Sequence, residues 1–156
     1  MQPLITGLAF SSLVLDGILC GLSLDKVIVQ LPARGRMGPV GYAGYARSAD
    51  LGNGVAFYGS VGISAALLTI AAFAGSMIRG GGPGLTWPLG IAAGLSVVHS
   101  AVTARAARTM FRIGRAEDAA SALAPLLDRF AAWSRIRAAA QLATFVSVAV
   151  AIAVTR

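Results

Sequence analysis

Two residues invite chemistry in stretches of chain that otherwise carry none. Asp16 and His99 each sit inside a long apolar block. An ionisable side chain there costs about 2.5–3.5 kcal/mol to insert into hydrocarbon, which makes it a functional candidate by default. A carboxylate beside an imidazole orients the ring and raises its basicity. The pair therefore reads as a catalytic base, with His99 accepting the proton and Asp16 orienting it. Asp16 lies twelve residues past Leu4, and His99 lies fourteen past Leu85. At 1.5 Å per residue both are about 18–21 Å from the outer ends of their blocks. They are nearly level, and the expectation is a direct Asp16–His99 contact.

Each has polar company at helical spacing. Ser12, Asp16, Cys20 and Ser23 share one face of the first block, and Ser96, His99 and Thr103 share one face of the third. Arg137, Gln141 and Thr144 form a stripe on the fourth block, while Asp50, Asn53 and Tyr58 open the second. Together they outline a cavity that is polar at its cytoplasmic end and narrows toward Asp16 and His99. The candidate substrate-binding residues are Asn53, Tyr58, Trp133, Arg137, Gln141 and Asp50. A simpler reading stands beside this one. Asp16 and His99 then act as interhelical glue, worth about 0.6 kcal/mol per contact. Asp50 pairs with Arg47 or Arg137 at the interface. For Asp50, Asn53, Trp133 and Arg137 packing and topology are the favoured account.

Other chemistries lack their residues. One histidine and six acids in separate segments give no metal site. There is no Glu-x-x-His diiron motif and no serine in a nucleophile elbow. No basic, aromatic platform for nucleic acid is present. Gly80-Gly81-Gly82-Pro83-Gly84 is a turn, not a phosphate loop, since no Lys-Ser or Lys-Thr follows it. No cofactor is implied.

The elements that must position these groups follow from composition. Apolar residues make up 56 % of the 156-residue chain and charged residues 12 %, against about 25 % charged in a soluble domain. Four blocks are long enough to cross about 30 Å of hydrocarbon, which takes about 20 helical residues. They run over 4–24, 54–78, 85–107 and 137–154. Backbone in lipid has no water partners, so each should be helical. The fold expected is all-α, a single integral membrane four-helix bundle.

The blocks are joined by links at 25–53 and 108–136 and by the short glycine turn. In the first link, the stretch from Tyr42 to Asp50 reads as a short interfacial helix with tyrosines at headgroup level. The Ala-rich stretch from Ala116 to Trp133 suggests that the fourth span ends a longer helix. Small-residue repeats at Gly17/Gly21, Ser60/Ser64, Gly62/Ala66 and Gly90/Gly94 predict close helix contacts. Cys20 has no partner for an intrachain disulfide. The first block lacks a basic leading region and reads as a retained span.

Charge sets the orientation. The net charge is +7, and the two long links and their flanks hold eleven Lys and Arg, against Arg79 and Arg156 on the other side. The positive-inside rule puts both long links in the cytoplasm and both termini outside a cell membrane. The row Arg105, Arg108, Arg112, Arg115 is a positive flank facing lipid headgroups. Membrane lipids are the expected surroundings, with no nucleic-acid partner.

Three motifs carry a resemblance. Ala43-Gly-Tyr-Ala-Arg-Ser-Ala-Asp50-Leu-Gly-Asn53-Gly enters the second span, His99 sits late in the third, and Asp128-Arg-Phe-Ala-Ala-Trp133-Ser-Arg-Ile-Arg137 enters the fourth. The whole resembles the anthrone oxygenase-like family of small four-span membrane proteins. That family usually has Asn where Ser134 follows Trp133. The resemblance implies oxygenation of a polycyclic phenolic ketone without a cofactor. His99 would take a carbon-bound proton, and Arg137, Asn53 or Gln141 would stabilise the enolate. Two alternatives belong to other classes. One is an accessory subunit docking a larger membrane partner or a second copy through its glycine faces. The other is a dimeric proton-coupled carrier using Asp16.

Overall fold

Long apolar runs fold as helices because only helices satisfy their backbone in hydrocarbon. The computed structural model describes residues 3–154, so Arg156, counted above on the outer side, lies outside the described residues. Helix α1 (Pro3–Asp25) runs through a π-helical turn (Lys26–Gln30) into α2 (Leu31–Ser48). A second π-helical turn (Ala49–Gly54) leads into α3 (Val55–Ile78), followed by α4 (Pro83–Arg115) and α5 (Ala120–Ala153). Among the described residues there is no strand, as the all-α expectation requires. Three helical runs are long and apolar enough to cross a membrane: the joined run Pro3–Ile78, Pro83–Arg115 and Ala120–Ala153.

The joined run doubles back on itself. Gly38 interrupts α2 with φ 70° and ψ 168°. Pro39 disfavours helical backbone in the residue before it, and glycine takes a positive φ without strain. Gly52 makes a second break with ψ −121°. The chain reverses across this region, and α3 packs against α1. The first link is therefore mostly helical. Its Tyr42 is fully buried in an apolar core, while Tyr45 is exposed.

The glycine turn is a helix stop followed by a helix start. Gly80, at φ 67°, lets its own N–H reach the Met77 carbonyl (3.5 Å) and the Gly81 N–H reach the Ser76 carbonyl (2.7 Å). This pair of bonds closes the last turn of α3. Pro83 then opens α4, where its missing N–H costs nothing.

Helices α4 and α5 hold 33 and 34 residues. At 1.5 Å per residue each is about 50 Å long, well beyond the roughly 30 Å of a hydrocarbon layer. The second long link is thus largely the continuation of both helices, joined through residues 116–119. Arg47 of α2 closes the end of α4 by donating to the carbonyls of Ile113 (3.1 Å) and Ala116 (2.8 Å). It also pairs with Asp118, while Arg34 ties α2 to Asp128 of α5 at 2.7 Å.

The four long helices form a ring. Helix α1 packs on α3 and α5, and α4 packs on α5 and α3, so α1 and α4 stand on the diagonal. Two apolar cores lie along the ring. One, near the glycine turn, is built on Ile5, Leu85, Leu89, Val148 and Ile152. The other, at the arginine-rich end, gathers Tyr42, Met110, Ile113, Leu123, Leu127 and Phe130. Outward faces are apolar too: Val14, Ile63, Leu67, Val97 and Val146 are all exposed, while Ser12, Asp16, Thr69, Ser96, Gln141 and Thr144 are buried. A wide apolar exterior around polar contacts marks a membrane-facing surface.

The small-residue repeats are half used. A Cβ on Gly17 would meet the Phe145 ring at 3.2 Å and one on Gly90 the Phe73 ring at 3.0 Å, whereas Gly21 and Gly94 face open space.

Candidate functional site

Polar groups between the two cores fall into two separate clusters. The first surrounds Asp16, which is 1 % exposed. Its Oδ2 accepts from Ser12 Oγ one turn earlier (2.9 Å) and from Thr69 Oγ1 of α3 (2.9 Å). Its Oδ1 accepts from Gln141 Nε2 of α5 (2.9 Å), which also reaches the Asp16 backbone carbonyl (3.2 Å). Ser12 and Thr69 hydroxyls lie 2.7 Å apart. Asp16 thus binds α1 to both of its ring neighbours, and both carboxylate oxygens are occupied. A buried carboxylate is tolerated when donors of this kind replace its lost water.

The expected Asp16–His99 pairing is not made. No hydrogen bond joins them; Asp16 spends its acceptors on Ser12, Thr69 and Gln141. The reason is the ring order. Their helices stand on the diagonal, and α3 and α5 take the carboxylate instead. The expected Asp50 partner is also different: Arg47 goes to Asp118, and Asp50 pairs with Lys26.

The second cluster lines a cleft between α3 and α4, with α1 and α5 behind it. These helices touch near the turn, where Phe73 meets Gly90. Farther along, a space of about 410 Å³ lies between Gly59, Gly62, Ile63 and Leu67 of α3 and His99, Ser100, Thr103 and Ala104 of α4. An adjoining space of about 240 Å³ reaches Asp50 and Phe130. Lys26, Tyr58, Thr103 and Arg137 line both. Ile63 and Leu67 are 64 % and 63 % exposed, so the cleft opens sideways onto the apolar exterior. The volume suits a small organic molecule.

Charge gathers at the inner wall of this cleft. Lys26, 3 % exposed, donates to both oxygens of Asp50, at 2.7 and 2.9 Å, and to Gln30. The Lys26–Asp50 ion pair is thus buried, with the Arg137 charge bordering the same cleft. The Arg137 side chain makes no hydrogen bond or ion pair among the described residues, and its Nε is buried without a partner. Thr103 Oγ1 is buried and unpartnered as well.

His99 is buried, and its Nδ1 lies 3.3 Å from the backbone carbonyl of Arg137. A carbonyl only accepts, so Nδ1 is the donor in this contact, which in a neutral ring leaves the lone pair on Nε2.

Of the residues expected at the site, His99, Tyr58, Arg137 and Asp50 come together at the cleft. Asp16 and Gln141 form the separate knot. Asn53 is exposed on the second π-helical turn. Trp133 packs against the arginine-end core, its ring 5.4 Å from the Arg105 guanidinium. Two residues escaped the sequence reading. Lys26 continues the stripe Ser12, Asp16, Cys20, Ser23 by one more three-residue step, a signal masked by its use as a flanking charge. Thr69 carries no such signal, because a lone threonine in an apolar helix is ordinary.

Comparison of the chain with known protein families, with curated proteins and with solved structures finds no match in any of the three.

Proposed function

We propose that the protein is a multi-pass membrane enzyme that binds a lipophilic small molecule in the α3–α4 cleft and uses His99 as its base. In this reading α1, α3, α4 and α5 each cross the bilayer, both termini lie outside, and the arginine-rich end is cytoplasmic. The observation that carries it is an imidazole with a free Nε2 lone pair, lining an apolar cleft that opens toward lipid, with an unpaired guanidinium beside it. The resemblance to anthrone oxygenase-like proteins supplies the reaction class. Asp16 belongs to the scaffold, since its carboxylate is saturated and it does not line the cleft.

The chemistry balances without a cofactor. His99 Nε2 removes a proton from the ring methylene of an anthrone-type ketone, and the electron pair moves onto the ketone oxygen. Arg137 stabilises that enolate oxygen through a charge-assisted contact. The carbanion carbon then bonds to molecular oxygen, and the proton returns to give a hydroperoxide. Loss of water from that carbon leaves a second carbonyl. One oxygen atom enters the product and the other leaves as water.

Oxygen uptake by proteoliposomes supplied with anthrone tests this. The wild type is expected to consume oxygen above the protein-free background. His99→Ala is expected to lose about a hundred- to ten-thousandfold in rate, the usual contribution of a general base, with an unchanged melting midpoint. Wild type at background, or full activity in His99→Ala, would reject the enzyme reading.

A further inference from the structure

The charges around the cleft do not cancel. Lys26 is answered by Asp50, whose two oxygens both accept from its ammonium. Arg137 has no such partner: its side chain makes no hydrogen bond or ion pair among the described residues, its Nε is shut off from solvent, and the Asp50 carboxylate, already held by Lys26, acts on it only through space. Arginine keeps its proton under all ordinary conditions. A buried cation is strongly unfavourable unless an anion or a set of acceptors meets it. The unused polar atom on the same cleft wall is of the wrong kind to balance the charge, for Thr103 Oγ1 is a neutral hydroxyl, itself buried and unpartnered. Both residues line the same cleft, whose remaining walls are largely apolar. Lys26, Arg137 and Asp50 together leave one positive charge there.

Resting on the cleft-binding reading above, we propose that the cleft also takes an amphipathic monoanion, which competes with the ketone for Arg137. Its oxyacid head sits on the Arg137 guanidinium and the Thr103 hydroxyl, and its apolar body lies along Ile63 and Leu67. A guanidinium offers a planar fork of donors that matches a carboxylate or phosphate oxygen pair. The hydroxyl can add a third donor. The head group comes either from a free long-chain acid or from an anionic phospholipid, and both present the same chemistry to Arg137.

The test uses cis-parinaric acid, a fluorescent fatty acid, and its uncharged methyl ester, with the full-length protein in phosphatidylcholine nanodiscs. Wild type is expected to bind the acid more tightly than the ester. Arg137→Gln should weaken the acid about ten- to a hundredfold, the worth of a charge-assisted hydrogen bond, and leave the ester unchanged. Thr103→Val, close in shape and without effect on charge, should weaken the acid alone by a smaller factor and guards against misfolding of the arginine variant. Gly59→Phe, whose added side chain enters open space at the cleft wall, should abolish both ligands. Adding phosphatidylglycerol should displace the acid if the source is a lipid, and leave it bound if the source is a free acid. Equal binding of acid and ester by the wild type, both lost in Gly59→Phe, overturns the anion proposal and leaves the cleft reading intact. Binding of neither ligand, or binding unaffected by Gly59→Phe, removes both.

Discussion

Asp16 and Arg137 are both charged groups drawn into the interior of a mostly apolar ring, and they are treated in opposite ways. Both oxygens of Asp16 are taken by donors from three helices, and it does not line the α3–α4 cleft. Arg137 has no partner and borders a space open to the exterior. A saturated buried charge reads as a structural tie; an unsaturated one beside a cavity is where we propose that a ligand binds. The contrast teaches that the cost of burying a charge does not by itself mark function. What marks it is whether the protein has already answered that charge.

The comparison can be broken at either pole. The largest effect should come from His99→Ala, whose loss of anthrone-dependent oxygen uptake reaches about a hundredfold or more, while Asp16→Asn retains the rate. Reversed results would exchange the roles of the two clusters. Next comes the Lys26–Asp50 pair. Lys26→Met alone strands a buried carboxylate and should cost about 3–5 kcal/mol in a denaturation series. The double variant Lys26→Met/Asp50→Leu should recover most of that; additive losses in the double variant would deny the pairing. Asp16→Ala should cost about 1–3 kcal/mol by leaving the donors of Ser12, Thr69 and Gln141 unanswered. Asp16→Asn should cost less, because it keeps an acceptor.

The smallest effects sharpen the packing account. Gly90→Ala pushes against the Phe73 ring, where a Cβ would sit at 3.0 Å, while Gly94→Ala meets nothing. Gly94→Ala should be neutral or stabilise by up to about 1 kcal/mol through its better helix propensity. Gly90→Ala should lose that gain, and thermal midpoints of the two variants separate the cases. A midpoint that rises equally in both would mean that α3 and α4 do not approach at Phe73.

Much of the fold was readable from the residues, because long apolar blocks and a Gly-Gly-Gly-Pro turn leave few options. The turn at Gly80 and the continuation of the fourth block backward into a longer helix followed from the residues themselves. Counting along a helix led to the expectation that Asp16 and His99 lie level, but Asp16 meets α5 at Gln141 and His99 meets it one turn earlier, at Arg137. Neighbourhood was not readable. Ring order depends on how α1 docks between α3 and α5, and no spacing within one helix reports it. That is why Asp16 met Thr69 and Gln141 rather than His99. Arg47 and Asp50 likewise sit three residues apart on the sequence yet serve different ends, one closing α4 and the other holding Lys26. Trp133, conspicuous in its motif, packs with Arg105 and the inner core.

We expect the α3–α4 cleft, and not the Asp16 knot, to receive the ligand. Crystals grown from a lipidic phase would address it most directly. The account predicts elongated density between Ile63 and Ala104, ending within hydrogen-bonding reach of Arg137, with Asp16 still enclosed by Ser12, Thr69 and Gln141. A cleft closed by α3 against α4, or a ligand seated between Asp16 and His99, would contradict it.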